Sequence, residues 1–280
     1  MSNSNVLTTV VIPAYKEAAN LKELVTRIYN AMGERGKKSP TLGMSRERTE
    51  VIVVDDNSKD GSEEIINDLA KDTSSFPNLR IIVRTNEKGL SSAVLRGFNE
   101  AKGDYLLCMD ADLQHPPEDV PIMFEYLLKE GTDVEFVLGT RYGSGEMRVD
   151  SNWPLYRRII SKGARSLARP LTPLSDPMSG FFALPKTVYQ RALQNKVNPI
   201  GFKIALELYV KAGVKKHAEH AFAFGVRLHG YSKLSSKVIV HYLQHLYDLY
   251  QYRYPFVLHL VALLLVLLAI FIFSRVFSKK

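Results

Sequence analysis

Apolar runs of strand length alternate along the chain with segments whose apolar residues recur every three or four positions, and this alternation predicts an α/β sheet. Val6 to Ile12 reads as the first strand, and Asn20 to Met32 as a helix with Leu21, Leu24, Val25 and Ile28 on one face. Val51 to Val54, Leu79 to Val83, Tyr105 to Met109 and Phe136 to Leu138 read as further strands. Helices are predicted between them over Gly61 to Lys71, Leu90 to Ala101 and Pro117 to Lys129. The last begins with proline, where the missing N–H costs nothing. Gly33 to Thr49, rich in Gly, Lys, Arg and Ser, reads as an exposed loop, and Arg141 to Trp153 as another. Beyond it the pattern predicts a basic amphipathic helix over Pro154 to Ala168 and strands at Phe181 to Leu184 and Ala221 to Val226. Ser235 to Tyr250 reads as a helix with Val238, Tyr242, Leu246 and Leu249 near one face. Such a helix either lies in a membrane interface or packs onto the sheet.

Phe256 to Phe273 is apolar apart from His259, near the lower length at which a helix crosses a bilayer. Tyr252 and Tyr254 precede it, and Arg275, Lys279 and Lys280 follow it, as aromatic belts and basic flanks do. The expectation is a single C-terminal transmembrane helix, with a buried core helix as the alternative. Near Met1 no basic stretch leads into an apolar run of signal-peptide length, so the catalytic part is expected to face the cytosol. The expected organisation is a catalytic domain over 1–234, an interfacial helix over 235–252 and an anchor over 253–280.

A length of 280 residues accommodates one large domain or two small ones, and the formal charge of +8 suggests an anionic partner. The basic residues form no dense tract, which argues against nucleic acid. Cys108 is the single cysteine, so no internal disulfide can form.

Candidate chemistry sits where strands end. The first ends in Pro13-Ala14-Tyr15-Lys16-Glu17, which offers a ring to stack on a base and an acid to hold a ribose or base N–H. The second ends in Asp55-Asp56-Asn57-Ser58-Lys59-Asp60-Gly61. Adjacent carboxylates repel each other and call for a cation or a donor-rich ligand. Asp56 is expected to face ligand, with Asp60 in a structural turn. The fourth ends in Asp110-Ala111-Asp112-Leu113-Gln114-His115. If that stretch is extended, Asp110, Asp112 and Gln114 lie on one side, and hard oxygens so placed suit Mg²⁺ or Mn²⁺ holding a diphosphate. Arg141, Arg157, Arg158, Arg227 and Lys233 form a basic group. For Arg141, at a strand end, and Lys233, after Gly230, phosphate contact is expected. The histidines are expected to play ordinary polar roles. No hydrolase elbow or P-loop sequence is present.

These motifs, in this order, resemble the inverting nucleotide-sugar glycosyltransferases of family 2, which have a GT-A fold, and among them the dolichol-phosphate mannose synthases. Lys88-Gly89-Leu90, Gly139-Thr140-Arg141-Tyr142, Ser175-Asp176-Pro177-Met178-Ser179-Gly180-Phe181-Phe182 and Ser232-Lys233-Leu234 extend the match. The resemblance implies a Rossmann-like α/β domain with a predominantly parallel sheet, then interfacial helices and one C-terminal transmembrane helix. It implies transfer of mannose from GDP-mannose to dolichyl phosphate with inversion, at the endoplasmic reticulum membrane, with no obligatory membrane subunit. By the same resemblance the donor is held by Pro13, Tyr15, Glu17, Val54, Asp56, Asp110, Ala111, Arg227 and Lys233, and Mg²⁺ or Mn²⁺ by Asp110, Asp112 and Gln114. The acceptor phosphate is held by Arg141, Arg157 and Ser161, with Arg158 adjacent to Arg157, and Asp112 and Arg141 are the catalytic pair. Two other readings stand beside it: glucose transfer from UDP-glucose to the same lipid, and a membrane-tethered nucleotide-binding protein without turnover.

Overall fold

The computed structural model describes residues 5–143, 155–225 and 236–257 and scattered positions between 259 and 270; for 155–159, 236 and 237 only the backbone is described. Strands β1 (Thr8–Ala14), β2 (Thr49–Asp55), β3 (Leu79–Val83), β4 (Tyr105–Cys108), β5 (Phe136–Thr140), β6 (Phe182–Pro185) and β7 (His217–Ala221) form one sheet in the order β3-β2-β1-β4-β6-β5-β7. All pairings are parallel except those of β6, which runs antiparallel to both β4 and β5. The carboxyl ends of β1, β2, β4 and β5 and the start of β6 therefore meet along one edge, where ligands bind in open α/β sheets.

Helices α1 (Ala18–Lys38), α2 (Ser62–Ala70), α3 (Leu90–Glu100) and α4 (Val120–Leu128) alternate with the first strands. They are followed by α5 (Leu155–Ala168), α6 (Lys186–Leu193), α7 (Ile204–Lys211) and α8 (Ser236–Arg253). Strand alternation divides the core into two layers. Val10 and Ile12 face the layer with Leu24 and Ile28 of α1 and Phe124 of α4, while Val11 faces Val94 and Phe98 of α3. The α3 helix lies so near the sheet that a Cβ on Gly97 would stand 2.4 Å from Val11 Cγ1.

Some boundaries differ from the sequence pattern. The stretch from Gly33 is not a loop throughout: α1 runs on to Lys38. Gly36 serves close approach there, since a Cβ on it would meet the Met44 carbonyl oxygen at 2.2 Å. Arg27 bonds Glu118 at 2.8 Å and Arg35 pairs with Glu125 of α4, which holds the extended helix across the surface. The strand expected at Ala221 to Val226 instead occupies His217–Ala221. Pairing with β5 at the sheet edge fixes it there despite its polar sequence.

α8 packs against neighbouring helices through one face of its pattern. Leu246 and Leu249 are buried, Tyr242 and Tyr250 donate to the α5 carbonyls of Ala164 and Leu167 at 2.7 Å each, and His245 Nε2 lies 2.7 Å from Glu207 of α7. Ile239, Val240, Leu243 and Tyr247 are exposed. The helix thus packs on the catalytic domain and presents a second apolar face outward. Among the described residues no helix is long and apolar enough to cross a membrane. The expected transmembrane helix is therefore not supported there; half of the run from Phe256 to Phe273 lies outside the described residues.

Candidate active site

Parallel register brings the acidic strand ends together. Pro13 pairs with Val54 and Ala14 with Asp55, the Asp56 N–H donates to the Ala14 carbonyl at 3.2 Å, and the Met109 N–H donates to Val11 at 3.2 Å. Tyr15 is exposed at this edge, and the Lys88 ammonium stands 6.0 Å from its ring centre. Glu17 accepts from Asn20 at 2.9 Å at the start of α1. Asp55 accepts from the Ser58 N–H at 2.8 Å and Ser58 Oγ accepts from the Lys16 N–H at 2.8 Å, which ties the β1 and β2 turns to each other. Asp60 is a turn residue: it accepts from the Ser62 N–H and from the Ala18 N–H, each at 3.1 Å.

Asp56 is held from two sides. Arg84 Nε donates to its Oδ1 at 2.8 Å, and the Gly89 N–H donates to its Oδ2 at 2.8 Å. The same guanidinium reaches Ser92 Oγ and the Gly89 carbonyl at 2.9 Å each. Asp56 thus anchors the turn from Arg84 to Gly89 as well as bordering the edge where Tyr15 lies. Sequence reading missed Arg84, although its position directly after β3 matches that of the other strand-end groups.

The Asp110 motif is a bend, contrary to the extended spacing expected of it. β4 ends at Cys108, Leu113 has φ 61°, and Asp112 Oδ1 accepts from the Gln114 N–H at 3.2 Å. The Asp110 N–H donates to His115 Nδ1 at 3.0 Å, and the His115 ring stacks on Phe181 with centroids 5.1 Å apart. Nδ1 accepts in this bond, so the ring proton sits on Nε2. Gln114 exchanges two bonds with Gly225, each of 3.0 Å, which pins the chain after β7 across the motif. The hard oxygen donors fit Mg²⁺ or Mn²⁺: carboxylates on a bend plus an amide, with substrate phosphates supplying the rest. Among the described residues no cluster of three or more His, Cys, Asp or Glu side chains suited to a metal occurs, so an all-protein cage is not what this edge offers.

We expect His115→Phe to keep the stack but leave the Asp110 N–H without its acceptor. The cost is about 1–2 kcal/mol, read as a lower urea midpoint of the purified protein. An unchanged midpoint would show that the bond contributes nothing.

A basic corner adjoins the acidic one. Arg141, just past β5, grips Asp176 through Nε at 2.7 Å and Nη2 at 2.9 Å, and both side chains are buried. Burial opposes the Arg141 charge, but Asp176 outweighs it and raises the guanidinium's pKa; Arg141 likewise overcomes burial to lower that of Asp176. A Cβ on Gly180 would stand 3.2 Å from Asp110 Oδ1, so the 176–180 turn links the two corners. Lys203, absent from the sequence expectations, donates to the Met178 carbonyl at 2.9 Å. No strand end or motif marks it, because only the packing of α7 brings it here. Ser161 lies half-buried on α5, whose Arg165 stacks over Tyr142 at 4.3 Å. The side chain of Arg157, and Arg227 and Lys233 altogether, lie outside the described residues.

A mostly parallel sheet with carboxylates gathered at its carboxyl edge defines a GT-A-like α/β glycosyltransferase. The chain belongs to glycosyl transferase family 2, whose family model matches residues 9–191. It is 50% identical over 275 residues to dolichol-phosphate mannosyltransferase of Mycosarcoma maydis, a match covering 96% of this chain and 88% of that protein. It is 52% identical over 251 residues to the protein of the same name from Saccharomyces cerevisiae, covering 88% of each. Glucosyl-3-phosphoglycerate synthase from Mycobacterium tuberculosis, solved in complex with Mn²⁺, UDP-glucose and phosphoglyceric acid, shares the fold with a TM-score of 0.55. That match is 19% identical and covers 89% of this chain and 79% of the other.

Proposed function

We propose that the chain transfers mannose from GDP-mannose to dolichyl phosphate, giving dolichyl phosphate mannose and GDP. The supporting observation is half-identity, over nearly the whole chain, to proteins named for that reaction. The two corners fit the two phosphates involved. Tyr15, Glu17, Val54 and Asp56 border a nucleoside site, with Pro13 and Ala111 in the backbone around it, and Arg227 and Lys233 are assigned to the donor phosphates. Asp110, Asp112 and Gln114 would hold Mg²⁺ or Mn²⁺, which when bound would neutralise charge on the departing diphosphate. Arg141, Arg157 and Ser161 receive the lipid phosphate.

A phosphomonoester is largely ionised near neutral pH, its second pKa being about 6. It is already a nucleophile, and the protein need not supply a strong base. Its oxygen attacks the anomeric carbon as the bond to the diphosphate breaks, so one displacement inverts that centre. Arg141, already committed to Asp176, orients the incoming phosphate without fully neutralising it.

The exposed apolar residues of α8 and Ile160 and Leu167 of α5 support seating at a bilayer surface. In this reading the apolar run beyond Phe256 is the anchor, and the catalytic domain faces the cytosol at the endoplasmic reticulum.

Purified protein given labelled GDP-mannose, dolichyl phosphate and Mn²⁺ is expected to form lipid-linked mannose, and a chelator to stop it. Product from UDP-glucose alone would overturn the donor assignment. No lipid-linked product from either sugar nucleotide would overturn the acceptor.

A further inference from the structure

Lys203 has no place in the readings above, yet it stands within reach of the charges of Arg141, Asp176 and Asp110. It is the residue before α7, and its ammonium turns inward to the Met178 carbonyl rather than out to water. Met178 lies in the turn that carries Asp176, which aligns Arg141, and Gly180, which abuts Asp110. The 175–180 turn is otherwise fixed at its ends: the Ser175 N–H donates to Glu219 at 2.6 Å, and the Gly139 N–H donates to the Phe181 carbonyl at 2.8 Å. The Met178 carbonyl is the point between these ends that the side chain just before α7 grips.

The electrostatics of the arrangement are costly. Burial, and then the charge of Arg141, push the Lys203 pKa down to about 8, against the opposing pull of Asp176 and Asp110. Two cations share a region with two carboxylates. Arg141, Asp176 and Lys203 together carry net positive charge, with Asp110 bordering them across Gly180. That balance suits a dianion arriving at Arg141 better than it suits an empty structural site.

We propose that Lys203 is a positioning residue for the acceptor phosphate: by bonding the Met178 carbonyl it holds the 176–180 turn so that Asp176 presents Arg141 to the incoming phosphomonoester. The inference rests on the assignment of Arg141 to the acceptor. Lys203→Met keeps the length and apolar stem of the side chain and removes the ammonium. The acceptor KM is expected to rise about tenfold, equivalent to about 1.4 kcal/mol, while the KM for GDP-mannose stays within about twofold. Because Lys203 acts through Arg141, the double variant Lys203→Met/Arg141→Lys should raise the acceptor KM by less than the product of the single effects.

Transfer would be assayed in detergent with dolichyl phosphate as the varied acceptor, and folding checked by calorimetric binding of GDP. Should Lys203→Met fail to bind GDP, Lys203→Gln, which removes the charge but keeps a polar end group, carries the same comparison of the two KM values. Acceptor and donor KM changing together, or additive effects in the double variant, would overturn the positioning role. An acceptor KM unmoved by Lys203→Met but raised by Arg141→Lys would overturn the Lys203 proposal alone. An acceptor KM unmoved by Arg141→Lys would overturn the acceptor assignment beneath it.

Discussion

Replacing Asp112 with alanine is expected to lower mannosyl transfer by about a thousandfold, the scale on which removing one preorganised charge-stabilising group acts. Asp112 is 5% exposed and sits on the bend after β4, next to the sheet edge shared with Asp56 and Tyr15. Its carboxylate has two tasks that a pair of variants separates. One oxygen accepts from the Gln114 N–H at 3.2 Å and so shapes the bend. In the proposed reaction the charge would help hold the divalent cation that neutralises the leaving diphosphate. Asp112→Asn keeps an acceptor for Gln114 but removes the charge. It should therefore retain the wild-type urea midpoint within about 1 kcal/mol while losing nearly as much activity as the alanine variant. Rates would be measured at saturating dolichyl phosphate with Mn²⁺ varied. Wild-type turnover in Asp112→Asn would refute the charge role, whatever the alanine variant did.

The sheet was legible because its strands are short apolar runs with chemistry at their ends. The acids at positions 56, 110 and 112 are visible in sequence for that reason: a buried run such as Leu106-Leu107-Cys108 stops abruptly at polar residues. Local pattern failed where tertiary contact decides. Gly33 and Gly36 read as loop residues, yet they lie within a helix, and Gly36 lets that helix approach Met44. The polar sequence of His217–Ala221 is a strand only because β5 pairs with it. The bend at Asp112–Leu113 could not be told from an extended end, since a side-chain acceptor and one positive φ make the difference. Lys203 and Asp176 are distant in sequence from Arg141 and meet it only through the packing of α7 and the turn before β6. Of the candidate site, then, the acids on strand ends were readable, and the side chains that hold the turns around them, Arg84 and Lys203, were not.

Arg84 is the clearest of these supports, and its loss should be the most damaging to folding. Its side chain is 2% exposed and that of Asp56 10% exposed, so Arg84→Met strands a buried carboxylate with the Gly89 N–H as its remaining bond among those described above. Breaking one partner of a buried pair typically costs about 3–5 kcal/mol. The Ser92 hydroxyl and the Gly89 carbonyl lose a donor as well. We expect the urea midpoint to fall accordingly. GDP should bind at least about tenfold more weakly, a loss of about 1.4 kcal/mol, because the turn that sets Lys88 beside Tyr15 is then tied to Asp56 by the Gly89 N–H alone. Arg84→Lys preserves the charge but not the fork, and should fall between. The double variant Arg84→Met/Asp56→Asn removes the uncompensated charge and should recover part of the stability without recovering GDP binding. Stability and binding would then part company, as expected if Arg84 serves the fold by neutralising Asp56 and the donor site by fixing where it sits. Recovery of both in the double variant would mean that Asp56 matters only as a buried charge, and its place in the donor site would have to be given up.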